Sequence, residues 1–213
     1  MSTLKVVQSE IHTACQKAQR NLQSVQWIAV SKNRSIEAIE ALYQEGQRHF
    51  GENYAIEFAE KRKALQERCP EICWHYIGQI QSNKINLIAQ ADYIHSLCNL
   101  KHAEALSIQA TKAIRVFIQV KLNPEEHRGG LVPAELDSFM ESLKSHKQLM
   151  VEGLMTILPL QPEMPASYWF QTMKALTRPD TPGLSMGMSE DFREAIAHGA
   201  TWLRIGRAIF EGL

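Results

Sequence analysis

Trp27-Ile28-Ala29-Val30-Ser31-Lys32 is a short apolar run that ends abruptly in a lysine. Polar Asn33-Arg34-Ser35 follows, and then a helical pattern begins. A short run with aromatic and β-branched residues, bounded by turn formers, predicts a buried strand. A lysine at the carboxyl end of such a strand stands where α/β folds put their chemistry. Its amine, once deprotonated, is a nucleophile that forms a Schiff base with a carbonyl. A solvated lysine closing a strand has the same local sequence, so the rest of the chain decides.

The pattern around this strand repeats. Leu4, Val7, Ile11, Ala14, Cys15, Ala18 and Leu22 recur at helical spacing and predict an amphipathic helix over 3–23. Ser35 is placed to cap a helix carrying Ile36, Ile39, Leu42 and Tyr43, which stops at Gly46. Further strands are predicted at His49-Phe50 and over 74–78, 93–97, 114–122, 149–157, 184–188 and 202–206, with helices between them. Ser189 reads as the cap of a helix carrying Phe192, Ala195 and Ile196. Strict alternation of strand and helix implies a parallel sheet. Eight such units imply a single-domain α/β fold over 1–213, the (β/α)8 TIM barrel, although about 250 residues is typical. A doubly wound sheet would need a glycine fingerprint after the first strand, and Lys32-Asn33-Arg34 offers none.

Composition bounds the function. The 213 residues are 45% hydrophobic, enough for one sizeable core. Lys+Arg and Asp+Glu both total 23, and a formally neutral chain argues against a nucleic-acid partner. No apolar stretch approaches the ~18 residues of a membrane span, and no membrane partner is expected. The start, Met1-Ser2-Thr3-Leu4-Lys5, lacks the apolar segment of a secretory signal. Cys15, Cys69, Cys73 and Cys98 form no Cys-x-x-Cys pair and are expected to be reduced thiols in a cytoplasmic protein. His-Glu-x-x-His does not occur among the eight histidines, so no metal site is expected.

In a barrel of this kind the reactive groups sit just past the carboxyl ends of the strands. Those positions hold Lys32, Asn53, the Gln79–Lys84 loop, Met155-Thr156, Ser189, Arg204 and Gly206-Arg207. They include one amine nucleophile and no pair of carboxylates. Met186-Gly187-Met188-Ser189 and Ile205-Gly206-Arg207 place N–H groups at helix starts after strands seven and eight, where barrels often bind phosphate. Singly, Ser189 reads equally as an N-cap, and Gly187 and Gly206 as turn glycines. Arg204 is less ordinary, because a guanidinium in an apolar strand needs a partner. Lys84, Lys121 and Arg128 read as surface residues.

Six motifs then occur in order: Ala29-Val-Ser-Lys32, Phe50-Gly-Glu-Asn-Tyr54, His75-Tyr-Ile-Gly-Gln-Ile-Gln-Ser-Asn-Lys84, Gly153-Leu-Met-Thr-Ile157, Leu184-Ser-Met-Gly-Met-Ser189 and Arg204-Ile-Gly206. Together they resemble the pyridoxal phosphate homeostasis proteins, single-domain relatives of the alanine racemase N-terminal barrel. The resemblance implies that pyridoxal 5′-phosphate (PLP) is held as a Schiff base on Lys32. It places Asn53 beside the ring and Arg204 against the pyridine nitrogen. Ser189, Gly206 and the backbone of Arg207 would surround the phosphate. The family tends to have a threonine or serine at 207, asparagine at 121 and lysine at 128. Only the backbone role therefore carries over to Arg207. The resemblance further implies a monomeric carrier acting in PLP homeostasis without a committed reaction, with PLP-dependent apo-enzymes as acceptors.

The alternative is a PLP-dependent amino-acid racemase. Racemisation needs a base on each face of the reacting carbon, and Lys32 could serve one face. The related racemases supply the other from a second, β-rich domain, for which this sequence has no counterpart after its eighth unit. An arginine beside the pyridine nitrogen disfavours its protonation and weakens the ring as an electron sink. Related racemases share that arginine, so it limits side reactions without excluding racemisation. A class I aldolase-like barrel is a third reading. The first-strand position of Lys32 and the Ser-Met-Gly-Met-Ser motif count against it.

Overall fold

Among the described residues, eight strands alternate with helices: β1 (Gln26–Val30), β2 (His49–Glu52), β3 (Cys73–Tyr76), β4 (Tyr93–Leu97), β5 (Ile114–Gln119), β6 (Leu149–Met155), β7 (Gly183–Ser185) and β8 (Trp202–Ile205). Each pairs in parallel with its neighbours in sequence, and β8 pairs with β1 to close the barrel. The structure is a computed structural model describing residues 2–123, 129–159 and 163–211; Arg128 lies outside them. The helices are α1 (Thr3–Lys17), α2 (Ile36–Gln44), α3 (Ala55–Leu65), α4 (Ile85–Ile88), α5 (Leu100–Gln109), α6 (Leu136–Leu143), α7 (Ala166–Ala175), α8 (Phe192–Ala197) and α9 (Arg207–Phe210).

The (β/α)8 expectation is met, with three local corrections. The first helix ends at Lys17 rather than near 23. Gln19 takes a left-handed backbone (φ 52°), and the Arg20 guanidinium donates to the Ile196 and Ala200 carbonyls, so the chain turns away. β7 spans Gly183–Ser185 instead of 184–188, because Gly187 adopts φ 93° and starts a turn. The N-cap of α8 is Asp191, not Ser189, and its carboxylate accepts the Met188 N–H. Ser35 caps α2 as expected, accepting from the Ala38 N–H at 3.3 Å.

Side chains alternate along a strand, so every second residue faces the barrel interior. Outward residues such as Phe50, Trp74, Tyr76 and Ile94 join the helices in the main hydrophobic core. Inward residues form a separate cluster containing Ile28, Tyr93, Phe117, Met155 and Trp202. Barrel interiors are usually filled by branched aliphatics. This one also holds polar groups. A hydrogen-bonded line crosses it from Arg204 Nη1 to Ser185 Oγ (2.8 Å), then to His95 Nδ1 (2.8 Å). From His95 Nε2 it continues to His75 Nδ1 (2.9 Å), and from His75 Nε2 to His49 Nδ1 (3.0 Å). A guanidinium can only donate, so the arrangement that leaves no buried donor idle runs donor to acceptor from Arg204 to His49.

Burial, helped by the neighbouring histidines, holds the His75 pKa well below its ordinary value, and burial with Arg204 does the same for His95. Both are therefore neutral when folded. The unfolded chain binds their protons once the pH drops below about 6.5, so stability is present above that value and lost below it. Each histidine should withdraw up to ~1.4 kcal/mol per pH unit there. Urea midpoints measured between pH 7 and 5.5 should fall, and less steeply in His95→Gln. An unchanged midpoint would contradict the buried, neutral assignment.

Candidate functional site

The top inward positions line a cavity of about 360 Å³ at the carboxyl-terminal mouth. That lies within the roughly 300–1,000 Å³ of small-molecule sites. Lys32, Asn53, Ser189, Arg204, Gly206 and Arg207 all line it. Of the other rim positions, Thr156 is buried beneath the cavity, where its carbonyl accepts from Arg204 Nη2 at 2.8 Å. Lys84 lines an adjoining hollow that shares Asn53. A wider groove of about 820 Å³ beside α1 presents no lysine or arginine to an anion.

Arg204 is 5% exposed and held from two sides, by the Ser185 hydroxyl and the Thr156 carbonyl. Burial lowers its pKa to about 10, which still leaves it cationic at neutral pH. Asp191 also lines the cavity, and burial raises its pKa against the opposing pull of the Met188 N–H and Arg204. The buried Asn53 Oδ1 has no hydrogen-bond partner. The protein itself supplies no partner for that oxygen, and a buried polar atom needs one.

On the opposite wall, a Cβ on Gly187 would sit 2.6 Å from that of Ala195, so no side chain fits that turn. Ser189 Oγ accepts from the Ala208 N–H at 3.4 Å and thereby joins the turn to the start of α9. The Arg207 N–H belongs to the first turn of α9, whose donors have no acceptor within the helix. The Arg207 side chain is exposed and paired with Glu190, which holds it on the outer rim.

Lys32 is exposed in the turn after β1. Asn33, beside it, has φ 58°, and its N–H donates to Glu57 Oε1 at 2.7 Å. Behind the turn, buried Lys61 donates to the Ser31 carbonyl (2.7 Å), Glu52 Oε1 (2.9 Å) and Glu57 Oε1 (2.6 Å). Ser31 Oγ also donates to Glu52 Oε1, at 2.6 Å. Burial raises the Glu52 carboxyl pKa, while Lys61 and Ser31 pull it down. Sequence reasoning missed this anchor. Its only trace was the Glu57–Lys61 spacing of four, which reads as an ordinary solvated helix pair.

Residues 7–213 match the family described as alanine racemase, N-terminal domain. The chain is 38% identical over 217 residues to the pyridoxal phosphate homeostasis protein of Vibrio cholerae serotype O1, covering 96% of this chain and 92% of that protein. The chain belongs to the pyridoxal phosphate homeostasis protein family. A similar protein, PipY of Synechococcus elongatus, has been solved with PLP bound. It superimposes with a TM-score of 0.82 at 36% identity, covering 93% of this chain and 97% of that one. Alanine racemase from Bartonella henselae, with covalently bound pyridoxal phosphate, shares the fold at a TM-score of 0.69 and 19% identity. It covers 99% of this chain and 59% of the racemase. Among the described residues, no helix is long and apolar enough to cross a membrane.

The Lys61 anchor is testable. Lys61→Met leaves two carboxylates facing each other without their cation, and losing one partner of a buried ion pair costs roughly 3–5 kcal/mol. Chemical denaturation should show a loss of about 3 kcal/mol, at the low end of that range because Glu57 is partly exposed. A change below about 1 kcal/mol, the size of a surface pair, would contradict the buried role.

Proposed function

We propose that this protein is a PLP carrier in which Lys32 is the attachment point. The reading rests on one observation: a single mouth cavity gathers an amine, a buried guanidinium, an unpartnered amide oxygen and helix-start N–H groups. These fit the groups of PLP, which carries an aldehyde, an aromatic ring and a phosphate. When bound, PLP supplies an aldehyde that condenses with a primary amine and a ring that accepts electrons.

Lys32 is the only primary amine lining the cavity among the described residues, and it is exposed there to meet an aldehyde. The Ser189 hydroxyl and the backbone of Gly206 and Arg207 hold the phosphate, with the helix start favouring the anion. Asn53 offers its unpartnered amide oxygen as an acceptor beside the ring. Arg204 faces the ring nitrogen with donors only, so that nitrogen accepts and stays unprotonated. That keeps the ring a weak electron sink and suits holding over turnover.

The racemase alternative needs a second base across from Lys32. No histidine, tyrosine or second lysine lines the cavity among the described residues. Of its carboxylates, Glu190 is paired with Arg207 and Asp191 with the Met188 N–H. The names of the relatives describe homeostasis, and the match spans 92% of the Vibrio protein's length. The carrier is read as a monomer that passes PLP to apo-enzymes in the cytoplasm, a compartment its four free thiols suit.

Lys32→Ala should abolish the absorbance of attached PLP and weaken retention about tenfold or more, roughly 1.4 kcal/mol, while inorganic phosphate still competes for what remains. Full attachment in that variant overturns the assignment. In deuterated buffer the loaded protein should leave the Cα proton of L-alanine unexchanged over many hours. Steady exchange would establish the racemase instead.

A further inference from the structure

The floor of the barrel, at the opposite end from the cavity, holds three side chains with no part in the function above. Cys73 and His75 lie two residues apart on β3 and so face inward together, and the register sets His49 of β2 beside Cys73. His49 Nδ1, Cys73 Sγ and His75 Nε2 all lie within 4.8 Å of one another. We propose that these three atoms form a binding site for one Zn²⁺ ion, with water as the fourth ligand.

The donor set is the first argument. Two imidazole nitrogens and one thiolate, with a position left open, match the preferences of zinc. Tetrahedral donors at zinc bond lengths stand roughly 3.3–3.8 Å apart. His49 and His75 are already 3.0 Å apart, so a side-chain rotation of the order of an ångström completes the geometry. Access is the second. His75 is fully buried, while His49 and Cys73 are half-buried and open a path from the floor.

The Cys73 thiol is free, and burial with Asp92 pushes its pKa to about 12. Ligation therefore displaces a thiol proton to solvent. His75 must ligate through Nε2, which moves its ring proton to Nδ1, where it donates to His95 Nε2. His95 in turn carries its proton on Nδ1 and donates to Ser185 Oγ, which then accepts from both His95 and Arg204 while its own O–H gives up its acceptor. The two rings exchange tautomers, and the net release is the single thiol proton. His95 and Ser185 thus orient the inner ligand, as partners behind a metal-bound histidine do.

The full-length protein, free of PLP, would be titrated with Co²⁺ as a coloured substitute for zinc, and then with Zn²⁺. One equivalent should produce sulfur-to-cobalt charge-transfer absorption and strong visible bands, which Zn²⁺ then displaces with about one proton released per ion. Cys73→Ser should remove the charge-transfer band, and His49→Ala should weaken binding at least tenfold. Failure to saturate at one equivalent, or an undiminished band in Cys73→Ser, overturns the site. If Cys73→Ser does not fold, the unsubstituted protein decides: Co²⁺ bound with a sulfur-to-cobalt band and about one proton released per ion, as proposed, or bound with neither, which refutes the site.

Discussion

Arg204 is a permanent cation inside a closed parallel barrel, and a buried charge is tolerated only where fixed acceptors meet it. The Thr156 carbonyl and the Ser185 hydroxyl supply that acceptance. Ser185 passes the demand to His95, His95 to His75, and His75 to His49. A single buried guanidinium thus accounts for a polar line through an interior that would otherwise be aliphatic. It also fixes what the mouth can offer a ligand. The group above Arg204 meets N–H donors, never an acceptor, whatever else the rim changes.

Lys32 is arranged on a different principle. Its side chain is left free, and the backbone beneath it is held. Lys61 binds the Ser31 carbonyl, Glu52 and Glu57 at once, and Glu57 holds the Asn33 N–H. Lys32, the attachment residue proposed above, therefore rides on a rigid turn while its own amine stays accessible. The proposed phosphate side is supported in the same way, with Gly187 and Asp191 fixing the turn and the Ser189 hydroxyl tying it to the Ala208 N–H at the start of α9. Rigid support with free reactive groups suits a protein that holds a cofactor and lets it go.

The barrel and its mouth were legible because both depend on local signals. Short, largely apolar runs such as Trp27–Val30 and Trp202–Ile205, each followed by a polar turn, fix strand ends, and strand ends fix the rim. Lys32, Asn53, Ser189, Arg204, Gly206 and Arg207 were found that way and line one cavity. What escaped depends on contacts between distant segments. The first helix stops early because Arg20 reaches the end of α8. Ser189 lost the cap to Asp191 because a left-handed glycine shifted the turn by two residues. Lys61 looked like a solvated helix residue until β2 brought Glu52 against it. His49 and Cys73 carry no motif spacing, and only the β2–β3 register makes them neighbours.

The central claim is that Lys32 is the attachment point. Borohydride reduction of the PLP-loaded protein, followed by peptide mapping, tests it most directly. A pyridoxyl group fixed on the peptide carrying Lys32, and on no other, is the predicted result. A group fixed on another lysine, or none fixed at all, would contradict the account and leave the mouth cavity to a different ligand.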